Sequence, residues 1–194
     1  MKWMIIVLGI VIVVFFAFQL FWRKSFGKIE NYPFKVIKEF DDISIRRYDA
    51  RLFVSVQLSS SKYETSSRKG FSILAGYIFG DNSKGEKIPM TSPVSISLED
   101  NMTMMFMVPR EYEKEDMPGP NASDIKFREE PSKQVAVISF GGWANSLKIE
   151  QYKDQLIQSL KEKGIAHNDK FHYLGYNPPF QVVNRKNEII VELK

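Results

Sequence analysis

Hydrophobic and polar positions alternate along most of the chain. Residues 51–58 place Leu52, Val54, Val56 and Leu58 on one face and Arg51, Ser55 and Gln57 mostly on the other, the period of a half-buried strand. Similar short runs predict strands over 34–40, 43–48, 94–98, 102–108, 134–140, 171–176 and 188–193. Two segments switch to a helical period. Over 63–79, Phe71, Leu74, Ala75 and Ile78 recur at i, i+3, i+4 and i+7, and Gly80 closes the run. Over 145–163, Ile149, Tyr152, Leu156 and Leu160 form a stripe opposite Lys148, Asp154, Lys161 and Glu162. Asn145 or Ser146 serves as its N-cap and Gly164 lies just past its end. Residues 111–123, with two prolines, a glycine and several charges, read as a surface loop.

The order of these elements repeats. Strand 51–58, helix 63–79 and strands 94–98 and 102–108 are followed by strand 134–140, helix 145–163 and strands 171–176 and 188–193. Residue identity does not accompany the match, so the duplication is one of pattern. Each half would leave one face of its sheet uncovered, and joining two halves buries both. Residues 33–194 therefore read as one α+β domain in which a strongly curved, barrel-like sheet carries two helices.

Before the body, residues 3–22 carry no charge, with Trp3 and Trp22 at the ends and Arg23 and Lys24 directly after. About 20 apolar residues suffice to cross a bilayer as a helix, and aromatic residues favour its interfaces. A cleaved signal peptide has a shorter apolar region and a small-x-small site, whereas this run ends Phe-Gln-Leu-Phe-Trp. The expectation is an N-terminal membrane anchor over residues 1–28, a single-pass protein, and a soluble domain over 29–194. The positive-inside rule places that domain on the cytoplasmic side by a margin of one charge.

Charge sharpens the division. The net charge of +4 comes entirely from Lys2, Arg23, Lys24 and Lys28; removing these from 27 basic residues leaves 23, matched by 23 acidic ones. A neutral body lacks the counterion release that drives general nucleic-acid binding, so no nucleic-acid partner is expected. The chain has no cysteine, which excludes disulfides, cysteine-ligated metal centres and thiol nucleophiles. His167 and His172 stand outside any metal-binding spacing, and nucleophile-elbow, P-loop and dinucleotide fingerprints are absent from the sequence. Asp41 and Asp42 lie between two short strands, where turn chemistry accounts for them. No catalytic residue is assigned, and an enzyme is not the expected class.

The first helix carries more information. Phe71–Phe79 contains no charge and six large apolar groups, more than one buried stripe requires. With Phe71, Leu74 and Ile78 on the sheet, Ile73 and Tyr77 point elsewhere. At roughly 25 cal/mol per Å² of apolar surface, covering them is worth a few kcal/mol. Either a loop of the same protein lies on them or a flat apolar ligand does. The run Tyr176-Asn177-Pro178-Pro179-Phe180, stiffened by two prolines, is the natural opposite wall, and Arg185 follows closely. Met90, Met102, Met104, Met105 and Met107 add adaptable side chains, which by themselves read as core.

These residues resemble a known family. Tyr77-Ile78-Phe79-Gly80-Asp81-Asn82, Lys87-Ile88-Pro89-Met90-Thr91-Ser92-Pro93-Val94, Gly175-Tyr176-Asn177-Pro178-Pro179-Phe180 and Arg185-Lys186-Asn187-Glu188 are similar to motifs of the SOUL / heme-binding protein family. Ile45-Arg46-Arg47-Tyr48 and Phe140-Gly141-Gly142 fall where that family has similar stretches, and the resemblance spans about residues 32–193. It implies a distorted antiparallel β-barrel of two βαββ-like repeats with two flanking helices. It also implies a shallow apolar cleft for heme, or another tetrapyrrole, between the first helix and the double-proline loop.

On that resemblance Ile73 and Tyr77 face the macrocycle, Tyr176, Pro178, Pro179 and Phe180 form the lip, and Arg185 serves the propionates. The position of a proposed axial histidine in one branch falls near Arg46 and Arg47, so heme without a strong axial protein ligand is expected. Ile73 stands where some members carry a basic residue, leaving Arg68, Lys69 or Arg185 to pair with the propionates. The implied function is a membrane-anchored carrier or buffer of heme. The alternatives are a binding module for another hydrophobic small molecule and, further off, a hydrolase or tetrapyrrole-modifying enzyme on the same fold.

Overall fold

A computed structural model describes residues 29–59, 62–178 and 180–194, with residues 3, 6–7, 9–10 and 13–15 of the leader. Among the described residues after the leader, nine strands and two helices follow in the order β1 (Phe34–Glu39), β2 (Ser44–Tyr48), β3 (Arg51–Gln57), α1 (Tyr63–Ile78), β4 (Val94–Ser97), β5 (Thr103–Met107), β6 (Ile125–Glu130), β7 (Lys133–Gly141), α2 (Ser146–Glu162), β8 (His167–Gly175) and β9 (Lys186–Leu193). All strand pairs are antiparallel, in one sheet of order β1-β2-β7-β9-β8-β4-β5-β3-β6. Strands β4 and β8 meet at the middle, and reading outward the order is β5-β3 on one side and β9-β7 on the other. In both halves the strand before the helix therefore pairs with the last strand, and the strand after the helix lies at the centre.

The sheet curls into a half-barrel and does not close into the barrel expected, because β1 and β6 remain as edges. Strand β6 escaped the sequence pattern: in Ile-Lys-Phe-Arg-Glu-Glu the charges outweigh the apolar alternation. Charged residues on an edge strand are a common guard against unwanted pairing.

Alternation along the strands fills two cores. Val54, Val56, Met104, Phe106, Ile138, Tyr173 and Ile189 face the helices and join Leu74, Ile149, Leu156 and Leu160. Phe53, Met105, Met107, Val135, Val137, Leu174 and Ile190 face the other way and pack with Tyr32 and Tyr48. Met102, Met104, Met105 and Met107 are all buried, as core methionines should be. Asn145 caps α2, its Oδ1 accepting the Lys148 N–H at 2.8 Å, and Gly164 leaves the helix at φ +62°.

Helix α1 lies close to the sheet at Gly70, where a Cβ would stand 2.9 Å from Leu58 Cδ1 and 3.1 Å from Met104 Cβ. Gly70→Val is expected to lower stability by about 1–3 kcal/mol through overpacking. A urea midpoint unchanged from the parent would refute that close approach.

The leader departs from its reading. Trp3, Ile6, Val7, Ile10, Val13 and Val14 are helical and exposed, but among the described residues no helix is long and apolar enough to cross a membrane. A span needs about 20 consecutive helical residues, and the described leader residues do not amount to one; residues 16–28 lie outside the described set. The transmembrane helix over 3–22 is thus unsupported, and the single-pass membrane localisation and membrane partner that rested on it are corrected accordingly.

Candidate functional site

The segment joining β8 to β9 is built around Arg185. Its guanidinium Nη1 donates to the Pro178 carbonyl at 2.9 Å and the Gln181 carbonyl at 2.7 Å, holding both carbonyls on one group. The Lys186 N–H donates to Asn177 Oδ1 at 2.6 Å and closes the base of the loop. The guanidinium also lies 4.0 Å from the centre of the Trp143 ring. The Arg185 side chain therefore braces the loop and also ties it to the turn between β7 and α2.

Buried polar groups fix that turn from below. Asn187 is 1% exposed; its amide donates to the carbonyls of Phe140 and Gly142, and its Oδ1 accepts the Tyr173 hydroxyl at 2.7 Å. Gly142 takes φ +78°, a conformation that favours glycine. Helix α1 joins through its first turn. Glu64 accepts both the backbone N–H and the hydroxyl of Ser146, the first residue of α2, at 2.8 and 2.7 Å. A carboxylate at a helix N-terminus is favoured by the dipole, and Ser146 holds the Glu64 carboxyl below its usual range. Tyr63 meets Tyr173 edge-on with ring centres 5.2 Å apart. The start of α1, the start of α2 and the 176–185 loop thus converge.

The residues expected from sequence distribute unevenly around this junction. Arg68 and Lys69 are exposed on α1, Ile73 is half-buried on the same helix, Pro178 is half-buried, and Phe180 is 43% exposed. Pro179 lies outside the described residues. Tyr176 turns inward: its hydroxyl donates to Glu188 Oε2 at 2.6 Å and its ring lies 4.2 Å from the Lys186 ammonium. Tyr77 departs furthest from expectation. It is 1% exposed, and its hydroxyl donates to the Pro118 carbonyl at 2.8 Å. The 111–123 loop covers it, so it offers no face to a ligand, and burial pushes its hydroxyl up to about 12. Trp143 escaped sequence reading because it sits in a short turn with no periodicity; its neighbourhood was visible only as Phe140-Gly141-Gly142.

A second polar cluster lies on the sheet face away from the helices. Glu188, fully buried, accepts from Arg46 Nη1 at 2.9 Å, Tyr176 and Ser139 Oγ at 3.2 Å, with the Lys186 ammonium at 3.0 Å. Burial pushes its carboxyl up, but the Tyr176 hydrogen bond and the charges of Arg46 and Lys186 outweigh burial and hold it below the usual range. Burial and the adjacent carboxylate push the Tyr176 hydroxyl far up. Both oxygens of this carboxylate are engaged inside the protein, which suits a scaffold better than an acid–base catalyst. His172 also faces this side, with Nδ1 3.4 Å from Ser95 Oγ. Alternation with Tyr173 turns it away from α1 and the 176–185 loop.

A shallow depression at the far end of α1 is lined by Ile78, Ile88, Met90, Phe106 and Met117 and encloses space for little more than a water molecule, so a large planar ligand would find no room there. Among the described residues there is also no group of three His, Cys, Asp or Glu able to hold a metal ion.

Comparison with known proteins supplies the relationship. The model of the SOUL heme-binding protein family matches residues 29–192. The chain is 32% identical over 154 residues to heme-binding protein 2 of Mus musculus, covering 75% of each. It is 28% identical over 176 residues to heme-binding protein 1 of Sus scrofa, covering 84% of this chain and 93% of that one. Among solved structures, the EcmrR C-terminal domain superposes with a TM-score of 0.60 at 13% identity, covering 78% of this chain and 96% of its own. A hydrolase from Listeria innocua gives 0.57 at 9% identity over 89% and 96%. At such identities the likeness is one of fold alone. With its curled sheet, its separated motifs and a family match across the whole folded body, the chain belongs to the SOUL heme-binding protein family.

Proposed function

We propose that this protein binds heme, or another tetrapyrrole, on an open apolar surface beside the 176–185 loop, and acts as a carrier or buffer rather than an enzyme. The observation that carries the reading is an exposed apolar loop that carries its own cation, in a chain of this family: Phe180, Val182 and Val183 are 43–56% exposed, Arg185 belongs to the same loop, and Arg68 and Lys69 are exposed on α1. Ile73 lies ten residues along α1 from Tyr63, about 15 Å at the rise of an α-helix, which is near the breadth of a macrocycle.

The residues fit such a group. Ile73, Pro178, Pro179 and Phe180 would cover an apolar face, with Tyr176 supporting the lip from beneath. Arg68, Lys69 and Arg185 would pair with propionates; the Arg185 Nε–H is buried without an acceptor, a donor still unused. Heme, when bound, supplies the iron and its redox chemistry; the protein supplies cover and charge. His172 faces the opposite side of the sheet, so the reading includes no strong axial ligand. Apolar contacts on an open surface favour fast release, which suits handover to a partner.

An absorption titration of the full-length chain with hemin tests this. A saturable one-to-one Soret shift is expected, and Ile73→Glu or Arg68→Glu should weaken binding about tenfold, or about 1.4 kcal/mol. The reading fails if hemin gives no saturable change. If another hydrophobic compound then raises the melting temperature, the binding-module alternative replaces it.

A further inference from the structure

Resting on the reading above, we infer that the opposite wall of the tetrapyrrole site is the turn between β7 and α2, with Trp143 as its stacking platform and Leu147 as its outer edge. Tyr77, sealed under the 111–123 loop, cannot be that surface. Trp143 is 53% exposed and Leu147 is 85% exposed, although both sit on ordered backbone. The turn beneath Trp143 is fixed by the two amide hydrogen bonds of buried Asn187, and Leu147 lies in the first turn of a helix capped by Asn145. Large apolar side chains held rigidly in the open are pre-organised for a partner and lose little entropy on being covered.

The nature of that partner follows from shape and charge. Arg185 lies against the Trp143 ring and belongs to the loop that carries Val182 and Val183, 49% and 56% exposed. An aromatic ring, an aliphatic edge and a cation with one unsatisfied N–H together suit a flat apolar molecule with an anionic rim. A dicarboxylate porphyrin has that chemistry. Because Glu64 of α1 holds the first residue of α2, this wall meets α1 at one end, and the macrocycle would lie across both. Arg185 then serves two roles: it stacks on Trp143, and its free donor meets a propionate.

The test is a Soret titration of the full-length chain with hemin, comparing the parent with Trp143→Ser, Leu147→Gln and Trp143→Phe. Trp143→Ser and Leu147→Gln are expected to weaken hemin binding tenfold or more with the melting temperature unchanged, while Trp143→Phe keeps most of the affinity. Parent-like affinity in both weakening variants overturns the inference but leaves hemin binding by α1 and the loop intact. So does a change confined to oligomeric state in size-exclusion chromatography, which would make the turn a contact between copies. A parent that fails to bind hemin overturns both readings together.

Discussion

Replacing Glu188 by alanine is expected to cost about 3–5 kcal/mol of stability, the range for breaking one side of a buried ion pair. The carboxylate is fully buried and holds Arg46, whose side chain is only 12% exposed, together with Lys186, Tyr176 and Ser139. Its loss leaves the Arg46 guanidinium in a poorly solvated place without a counter-charge, stacked on the Phe34 ring at 4.5 Å and donating from Nε to Ser44 Oγ at 2.9 Å. Glu188→Gln should cost less, because the amide oxygen can still accept from Tyr176. The pair Glu188→Leu with Arg46→Met should recover most of the loss, since well-packed apolar residues often replace a buried pair without penalty. Urea midpoints of the parent, Glu188→Leu, Arg46→Met and the double variant decide the matter; additive losses in the double variant would rule out the pairing argument. The carboxyl also carries a pH signature. A folded-state value held below the unfolded one near ~4.3 stabilises the protein above that pH, and the contribution fades as pH falls further.

A separate loss of stability between pH 6.5 and about 4 is expected from His172. Burial, with help from Lys133 and Arg128 and against Glu130, pushes its imidazole down to about 4. Above pH 6.5 the ring is neutral in both folded and unfolded chains and contributes nothing to the pH dependence. Below it the unfolded chain takes up a proton that the folded protein refuses, so stability falls, by up to about 3 kcal/mol at pH 4. His172→Asn should flatten the stability profile over that window while leaving the later, Glu188-dependent fall in place. A parent protein equally stable to urea at pH 7 and pH 5 would refute the half-buried, neutral state of the ring. Because the ring faces away from the proposed tetrapyrrole surface, hemin affinity should follow this titration only through global unfolding.

Helix α1 shows both what a helical period reveals and what it hides. The spacing of Phe71, Leu74 and Ile78 correctly marked the buried stripe, and the excess apolar groups correctly demanded cover. What covers Tyr77 is the Pro118 carbonyl, 41 residues away, and a residue so distant along the chain leaves no trace in a helical period. The motif around Arg185 was likewise legible as a motif, though not as a brace: Lys186, Asn187 and Glu188 each lock a different neighbour. Strand β6 was hidden by its charges, and Trp143 by sitting in a turn with no repeat. The leader shows the converse failure. A run of apolar residues satisfied the length criterion for a membrane span, yet among the described residues no helix of that kind exists.

Composition and periodicity alone determined that this protein is an α+β domain with two amphipathic helices, a neutral body and no thiol chemistry, because those properties depend on each residue and its neighbours within a turn or two. The folded chain decided which faces are free. Arg46 and Glu188 are 142 residues apart and Glu64 and Ser146 are 82 apart. Pairings at such distance are set by how strands, helices and loops come together, and that assembly sealed Tyr77 under the 111–123 loop and left Trp143 in the open.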